Sequence, residues 1–272
     1  MPLSLSGARC LVTGASRGLG RHIALALAHE GARLHLVARS ADGLAAVARE
    51  VEALGARCEI HATDVCDRAA ISSLVAALEG KGGVDVLVNN AGIETVAYLH
   101  EIPMEEMLHI LDVNLISTMV LTRLVIPGMV TRKRGHIVNI ASLAGKTGPP
   151  LAETYATTKA GMIGFTQSLR VSYAGTGVSA SVVCPGYIRG EGMFADRTQK
   201  VGGAAPKLVG TSPPEAVGLA VVRAIVRDEP ELLVTPTPAR LIAALGQLSP
   251  RFPGWLIRQL NLRTLYEGQR GH

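Results

Sequence analysis

Seven short aliphatic runs recur along the chain and alternate with longer segments of helical periodicity. In the segment after the first run, Ile23, Ala24 and Leu27 fall on one helix face and Gly31 supplies a stop signal. Alternating strands and helices predict right-handed crossovers, and therefore an α/β fold with a doubly wound parallel sheet of about seven strands. The predicted strands are residues 8–13, 32–37, 57–62, 84–89, 135–141, 178–184 and 231–235.

The composition suits a single domain over residues 1–272 and narrows the classes of function. The chain is 48% hydrophobic and 18% charged, as expected for strands buried on both faces. Its net charge of +5 is spread out, and no aromatic residue interrupts the densest basic run, residues 132–134, so we predict no nucleic-acid binding. The longest apolar stretch, residues 115–130, contains Arg123 and Pro127, which argues against a membrane-spanning segment.

Cysteines and histidines are scattered without ligand spacing. The four cysteines form no CxxC pair and the eight histidines show no zinc-ligand pattern, so we predict no metal site. Residues 1–10 lack the charged and apolar regions of a secretion signal. We therefore expect a reduced, cytoplasmic protein.

A glycine-rich turn, TGASRGLG at residues 13–20, joins the first strand to the first helix. Glycines at such a turn let backbone N–H groups and the positive helix end face a pyrophosphate. The spacing of Gly14, Gly18 and Gly20 is not the G-x-G-x-x-G fingerprint, so a tight turn without a ligand stays open as an alternative.

The end of the second strand, VARS at residues 37–40, occupies the position that selects the dinucleotide. An acidic residue there would bind the ribose 2′-OH, whereas an arginine accommodates a 2′-phosphate. Ala38 and Arg39 stand at this place, and Arg17 could reach the same phosphate. We therefore predict NADP(H) in preference to NAD(H), although Arg39 as a solvated loop residue remains an alternative.

Tyr155 and Lys159 are four residues apart in YATTK, so a helix would place them on one face. Alone, such a pair is common. Here Asn114 lies in a long predicted helix, Ser142 closes the following strand, and the dipeptide at Pro185 follows the next strand. Together, TGASRGLG, NNAG at residues 89–92, VNL around Asn114, IAS ending at Ser142, YATTK and PG resemble the short-chain dehydrogenase/reductase family over about residues 8–186.

This resemblance implies a Rossmann-like fold and an oxidoreductase that transfers a hydride. Tyr155 would be the general acid in reduction and the base in oxidation. Lys159 would favour the phenolate and hydrogen-bond the nicotinamide ribose. Ser142 would donate to the substrate oxygen, and Asn114 would position a water that connects Lys159 to solvent.

The resemblance also places Asp64 and Val65 against the adenine and NNAG along the cofactor cleft. Family members often carry a threonine shortly after PG, but Gly190 stands there, so backbone groups of Ile188 would have to hold the carboxamide. Asn90 could equally be a backbone-bonding turn residue. The predicted cofactor site comprises Gly14, Ser16, Arg17, Gly18, Leu19, Gly20, Arg39, Asp64, Val65, Asn90, Ala91, Gly92, Tyr155, Lys159, Pro185, Gly186 and Ile188.

Two segments are predicted to shape the substrate side. Residues 186–214, rich in glycine and proline, would form a lid in which Tyr187, Met193 and Phe194 join Ser142 at an apolar substrate. The tail, residues 237–272, departs from the family pattern. It would lie on a membrane surface, cover a greasy substrate, or pack on its own domain or a partner subunit. Its apolar stripes are Leu241, Ile242, Leu245 and Leu248, then Trp255, Leu256, Ile257 and Leu260.

The sequence thus predicts an NADP(H)-dependent oxidoreductase acting on a carbonyl or secondary alcohol. The apolar surface favours a keto-lipid, a 3-oxoacyl chain or a steroid-like ring without choosing among them. A homodimer on the long helices near Asn114 and Tyr155, or a tetramer, is expected. Two alternatives remain: a non-catalytic NADP(H)-sensing regulatory protein on the same fold, and an enzyme that epimerises or dehydrates nucleotide sugars.

Overall fold

A computed structural model describes residues 2–201, 210–236, 240, 244–245, 249, 251, 258–259 and 266–267. The apolar stripes predicted for the tail lie outside these residues apart from Leu245, as do residues 202–209 of the predicted lid.

The described residues form one parallel sheet of seven strands in the order β3-β2-β1-β4-β5-β6-β7. All seven predicted strands are present, which confirms the predicted α/β fold with a doubly wound parallel sheet. The order reverses between β1 and β4, so the crevice at their carboxyl ends is the expected place for a ligand. The strands are β1 Arg9–Thr13, β2 Arg33–Ala38, β3 Cys58–Ala62, β4 Val86–Asn89, β5 Gly135–Ile140, β6 Val178–Pro185 and β7 Glu231–Val234.

Helices cover both faces of the sheet. One face packs on α1, α2 and α9 through Ile23, Leu44 and Val221, and the other on α3 and α5 through Val75 and Leu121. Each layer buries the apolar stripe of its helices. The helices are α1 Gly18–His29, α2 Ala41–Ala53, α3 Arg68–Gly80, α4 Met104–Leu111, α5 Ser117–Thr131, α6 Ala144–Thr147, α7 Glu153–Ser172, α8 Met193–Val201 and α9 Glu215–Arg227.

A π-helical turn, Asp112–Ile116, joins α4 to α5, so the helix runs without a break over Met104–Thr131. These 28 residues form a helix that is long and apolar enough to cross a membrane, whereas the apolar stretch considered from the sequence covers only residues 115–130. However, half of the most apolar window is buried, and Leu121 and Val125 belong to the core beneath the sheet. We therefore interpret this segment as a core helix. π-Turns of this kind often occur at functional sites.

Buried amides link the central strands. Asn89 on β4 donates from Nδ2 to Oδ1 of Asn139 on β5 at 2.8 Å, and Asn139 donates to Oγ1 of Thr166 on α7 at 2.8 Å. Because each buried donor needs a partner, this chain fixes α7 against the sheet. It also sets where the amino-terminal turns of α7, with Tyr155 and Lys159, meet the strand ends.

Candidate active site

A cleft of about 770 Å³ opens at the carboxyl ends of the strands, within the range of small-molecule sites. Every residue of the predicted cofactor site lines it, and so do Ser142, Tyr187, Met193 and Phe194. Asn114 does not line the cleft and lies fully buried behind it. The parallel sheet therefore brings together residues from Gly14 to Phe194.

The glycine-rich turn has a backbone that side chains would disrupt. Gly14 and Gly18 adopt φ values of 63° and 57°, where glycine is favoured. A Cβ on Gly20 would overlap the carbonyl oxygen of Gly14, and a Cβ on Gly14 would come within 2.8 Å of the Cα of Ala91. The turn thus packs tightly at the amino end of α1, where free N–H groups face the cleft.

Thr13 and Asn90 join this turn to the end of β4. The Thr13 hydroxyl accepts hydrogen bonds from the backbone N–H groups of Asn90 and Ala91, both at 3.0 Å. Asn90 Nδ2 donates to the carbonyl oxygens of Thr13 and Gly14 at 3.0 and 3.2 Å. Asn90 is therefore a backbone-bonding residue in a cleft-lining position, and the two roles considered from the sequence coexist.

Lys159 is a buried cation at the base of the cleft. Its side chain lies 5.5 Å above the Tyr155 ring, and Nζ donates to the carbonyl oxygen of Ile140 at 2.9 Å. Burial lowers the pKa of Lys159 from 10.5 to about 8, although Cys184 and Glu94 act in the opposite direction. Among the described residues, Lys159 has no carboxylate within ion-pair distance, so its charge strongly favours negative charge nearby.

Tyr155 and Ser142 lie next to Lys159 on different elements. Tyr155 is half-buried in the first turn of α7, and both side chains line the cleft. Ser142 follows β5, and its Oγ accepts a hydrogen bond from the N–H of Ala144 at 3.1 Å. The same Oγ donates a long hydrogen bond of 3.4 Å to the carbonyl oxygen of Pro185, so the hydroxyl is oriented at the strand end from both sides.

Asn114 has hydrogen-bond partners that the sequence did not predict. Its Oδ1 accepts from the N–H of Ile93 at 2.8 Å, and its Nδ2 donates to the carbonyl oxygen of Ile93 at 2.9 Å and to Thr158 Oγ1 at 3.1 Å. Asn114 therefore holds the loop after β4 against α7. The π-turn directs the amide into this gap, and its predicted role toward water stays a prediction.

The end of the cleft beside β2 and β3 contains two arginines in different settings. Arg39 is exposed at the end of β2, and within the described part of the chain it forms no ion pair. Arg17 instead pairs with Asp196 on α8 at 2.6 Å. Asp64 accepts the N–H of Cys66 at 2.9 Å and, with Val65, closes the end of β3.

The described part of the lid rests on the first helix and on the tail. Tyr187 packs against Phe194 with ring centroids 4.6 Å apart, and its hydroxyl lies 3.1 Å from that of Tyr266. Tyr266 is buried, lines the cleft and packs with Val96 and Leu151. Tyr266 is not among the residues predicted from the sequence, because a single tyrosine in the tail forms no helical stripe.

Comparison with known proteins decides the family. A short chain dehydrogenase model matches residues 8–201, which is well over half of the chain. The chain belongs to the short-chain dehydrogenase/reductase family. The resemblance carried by the motifs is therefore confirmed, and the protein is an oxidoreductase of this family.

Individual relatives align with different fractions of this short-chain dehydrogenase/reductase. The ketoacyl reductase HetN of Nostoc sp. is 44% identical over 253 residues, covering 91% of this chain and 87% of that protein. The 3-oxoacyl-[acyl-carrier-protein] reductase FabG of Thermotoga maritima is 36% identical over 187 residues, 68% of this chain and 76% of that protein. A metagenomic short-chain oxidoreductase solved in complex with NADP is 35% identical, with a TM-score of 0.74 over 86% of this chain and all of that one.

We predict that Gly20→Ala weakens nucleotide binding at least about tenfold, because the new methyl group displaces the Gly14 carbonyl and reshapes the turn. Gly80→Ala is the matched control, since a Cβ there meets nothing within 4 Å and Gly80 lies outside the cleft. Fluorescence titration with NADPH measures both. Equal affinity in Gly20→Ala and wild type would show that the turn does not hold the phosphates.

We predict that Lys159→Met stabilises the cofactor-free protein by about 2 kcal/mol at pH 7. The difference between pKa 10.5 and about 8 corresponds to about 3 kcal/mol, and the lost hydrogen bond to Ile140 offsets about 1 kcal/mol.

The pH dependence of this gain has a definite sign. Below pH 8 both the folded and the unfolded wild type hold the Lys159 proton, so the burial penalty is complete. From pH 8 to 10.5 only the unfolded state holds it, so wild-type stability rises and the advantage of Lys159→Met shrinks. Urea unfolding at pH 7 and pH 10 measures the two differences, and an unchanged difference contradicts the prediction.

Proposed function

We propose that this protein transfers a hydride between NADP(H) and a carbonyl or secondary alcohol on an acyl-like apolar substrate. The observation that most supports this function is the buried Lys159 ammonium beside the Tyr155 ring at the base of the cleft. A surface pair would be screened by water, whereas this cation acts in a medium of low polarity. The nicotinamide, when bound, supplies or accepts the hydride.

In the proposed reduction, Tyr155 gives its hydroxyl proton to the substrate oxygen. The resulting phenolate lies next to Lys159, whose ammonium stabilises it. Ser142 donates a hydrogen bond to the same substrate oxygen as negative charge develops there. In the oxidation direction, the phenolate of Tyr155 removes the proton from the alcohol.

The residues of the cleft fit a dinucleotide. The Gly14–Gly20 turn lies at the amino end of α1, and its backbone packs so closely that a Cβ on Gly14 or Gly20 would collide with neighbouring backbone and change the shape of the turn. Gly14, Ser16, Gly18 and Leu19 would hold the pyrophosphate. The remaining cofactor contacts are proposed for Asp64 and Val65 at the adenine, and for Asn90, Ala91, Gly92, Pro185, Gly186 and Ile188 along the nicotinamide half.

The preference for NADP(H) rests on the charge at the end of β2. Ala38 and exposed Arg39 replace the acidic residue that would bind a ribose 2′-OH and repel a 2′-phosphate. Arg17 is already paired with Asp196. Arg39, in contrast, has no carboxylate competing for its charge among the described residues, so it can bind a 2′-phosphate. The cofactor in the solved relative is also NADP.

We predict that Arg39→Ala lowers affinity for NADPH about 10- to 100-fold and leaves affinity for NADH unchanged. A charge-assisted hydrogen bond to the 2′-phosphate contributes about 1.5–3 kcal/mol, and about 1.4 kcal/mol is a factor of ten. Arg49→Ala on α2 serves as the control, because Arg49 is also exposed and does not line the cleft. Fluorescence titrations with both nucleotides give the ratio, and a ratio near one in wild type contradicts the preference.

The substrate end is apolar and bounded by aromatic rings. Tyr187 contacts both Phe194 and Tyr266, and these rings line the same cleft as Met193, Ser142 and Tyr155. Side chains of this kind bind a hydrocarbon chain better than a charged or sugar-bearing group. Since two relatives are named as ketoacyl or 3-oxoacyl reductases, we propose a 3-oxoacyl thioester as the substrate class.

We predict that Tyr155→Phe lowers kcat for a 3-oxoacyl thioester by about 10²- to 10⁴-fold while NADPH affinity stays within about twofold. The ring and its contact with Lys159 remain, and only the hydroxyl group that would give the proton is lost. Oxidation of NADPH at 340 nm over a series of acyl lengths and a cyclic ketone measures both activity and preference. Wild type that binds NADPH without turning over any of these carbonyls supports a sensing role and contradicts the proposal.

A further inference from the structure

Two histidines and a glutamate meet on neighbouring strands of the sheet, outside the residues that line the cleft. His35 on β2 is paired in register with Glu59 on β3, and His61 follows two residues later. Residues two apart on a strand point to the same face, so all three side chains lie on the face that carries Leu11. His35 and Glu59 lie in the amino halves of their strands, and His61 lies two residues before Thr63, where the cleft begins.

The nitrogen atoms of the two imidazoles have a separation that suits a shared metal ion. His35 Nδ1 lies 3.3 Å from His61 Nε2, and each lies within 4.8 Å of a carboxylate oxygen of Glu59. Two ligands at about 2.0–2.1 Å from a tetrahedral zinc ion stand about 3.3–3.4 Å apart. His35 Nδ1 and Glu59 Oε2 are 4.0 Å apart, so the carboxylate has to move closer to the imidazoles to complete the set.

We propose that His35, Glu59 and His61 form a zinc-binding site, with water in the fourth position. Imidazole nitrogens with one carboxylate are a ligand set for zinc, whereas magnesium and calcium prefer oxygen ligands. His35 is buried, His61 is half-buried and Glu59 is exposed, so the site has a fixed base and an open side through which an ion enters.

A zinc ion at this cluster competes with the positively charged side chains nearby, Arg9 and Lys81. Arg9 is engaged by Asp85, with hydrogen bonds of 3.0 and 2.9 Å from its guanidinium. Lys81 bonds Glu59 at 3.2 Å, but its side chain is 65% exposed. Exposed pairs of this kind contribute little, so zinc competes successfully with Lys81 for the carboxylate.

A direct hydrogen bond between the two rings is the alternative use of this cluster. The rings stack with centroids 5.6 Å apart and an interplanar angle of 29°, and one neutral nitrogen can donate to the other. That arrangement needs neither Glu59 nor a metal ion. The effect of replacing Glu59 on zinc binding therefore distinguishes the two interpretations.

We expect the untagged, chelator-treated protein to bind one Zn²⁺ with a Kd on the order of 1 µM, measured by competition with a chromogenic chelator. His61→Gln should weaken binding at least about 100-fold and Glu59→Gln about tenfold, whereas Lys81→Met should tighten it several-fold by freeing the carboxylate. His100→Gln, at an exposed histidine outside the cluster, should change nothing.

Co²⁺ provides a second readout, because tetrahedral coordination gives visible absorption that His61→Gln should abolish. Circular dichroism shows whether each variant is folded. Binding weaker than about 0.1 mM in wild type, or equal affinity in wild type and His61→Gln, overturns the site. Unchanged affinity in both Glu59→Gln and Lys81→Met overturns the part of the proposal that makes Glu59 a ligand. None of these measurements depends on nucleotide binding or turnover.

Discussion

Parallel pairing of the strands is the constraint on which the rest of the structure depends. Because all seven strands run the same way, their carboxyl ends meet at one edge. The turn after β1, Asn90 after β4, Ser142 after β5 and Gly186 after β6 therefore become neighbours despite separations of many tens of residues. The hydrogen bonds of Thr13 and Asn90 then hold the glycine-rich turn against the end of β4.

Lys159 shows what a reaction site of this kind costs the fold. The side chain is placed in the core on α7, where its ammonium loses hydration and gains one carbonyl acceptor. The same loss of water makes its charge effective on the Tyr155 oxygen. Asn114 and Thr158 contribute indirectly: their hydrogen bond keeps the loop after β4 against α7 and so maintains the space around Lys159. The stability that the fold loses by burying the Lys159 ammonium is thus linked to the proposed chemistry.

The sequence was sufficient for features governed by local patterns. Strands, crossovers and the glycine turn follow from apolar runs and from backbone conformations that few residues adopt, so the sheet and the cleft lining were predictable from residues such as Gly14 and Tyr155. Contacts between distant side chains were not. The pairing of Arg17 with Asp196, the position of Tyr266 over the cleft and the meeting of His35 with His61 depend on register and on how loops fold back, which no spacing encodes.

Tyr266 connects the tail to the substrate end of the cleft. Its hydroxyl meets that of Tyr187, and Glu267 accepts a hydrogen bond from Tyr98 at 2.6 Å, so two consecutive residues join the lid and the loop after β4. Tyr266 is buried against Val96 and Leu151, so at this point the chain packs on its own domain beside the cleft. Its side chain therefore belongs to the cleft wall together with the neighbouring rings of Tyr187 and Phe194, although it comes from the other end of the chain.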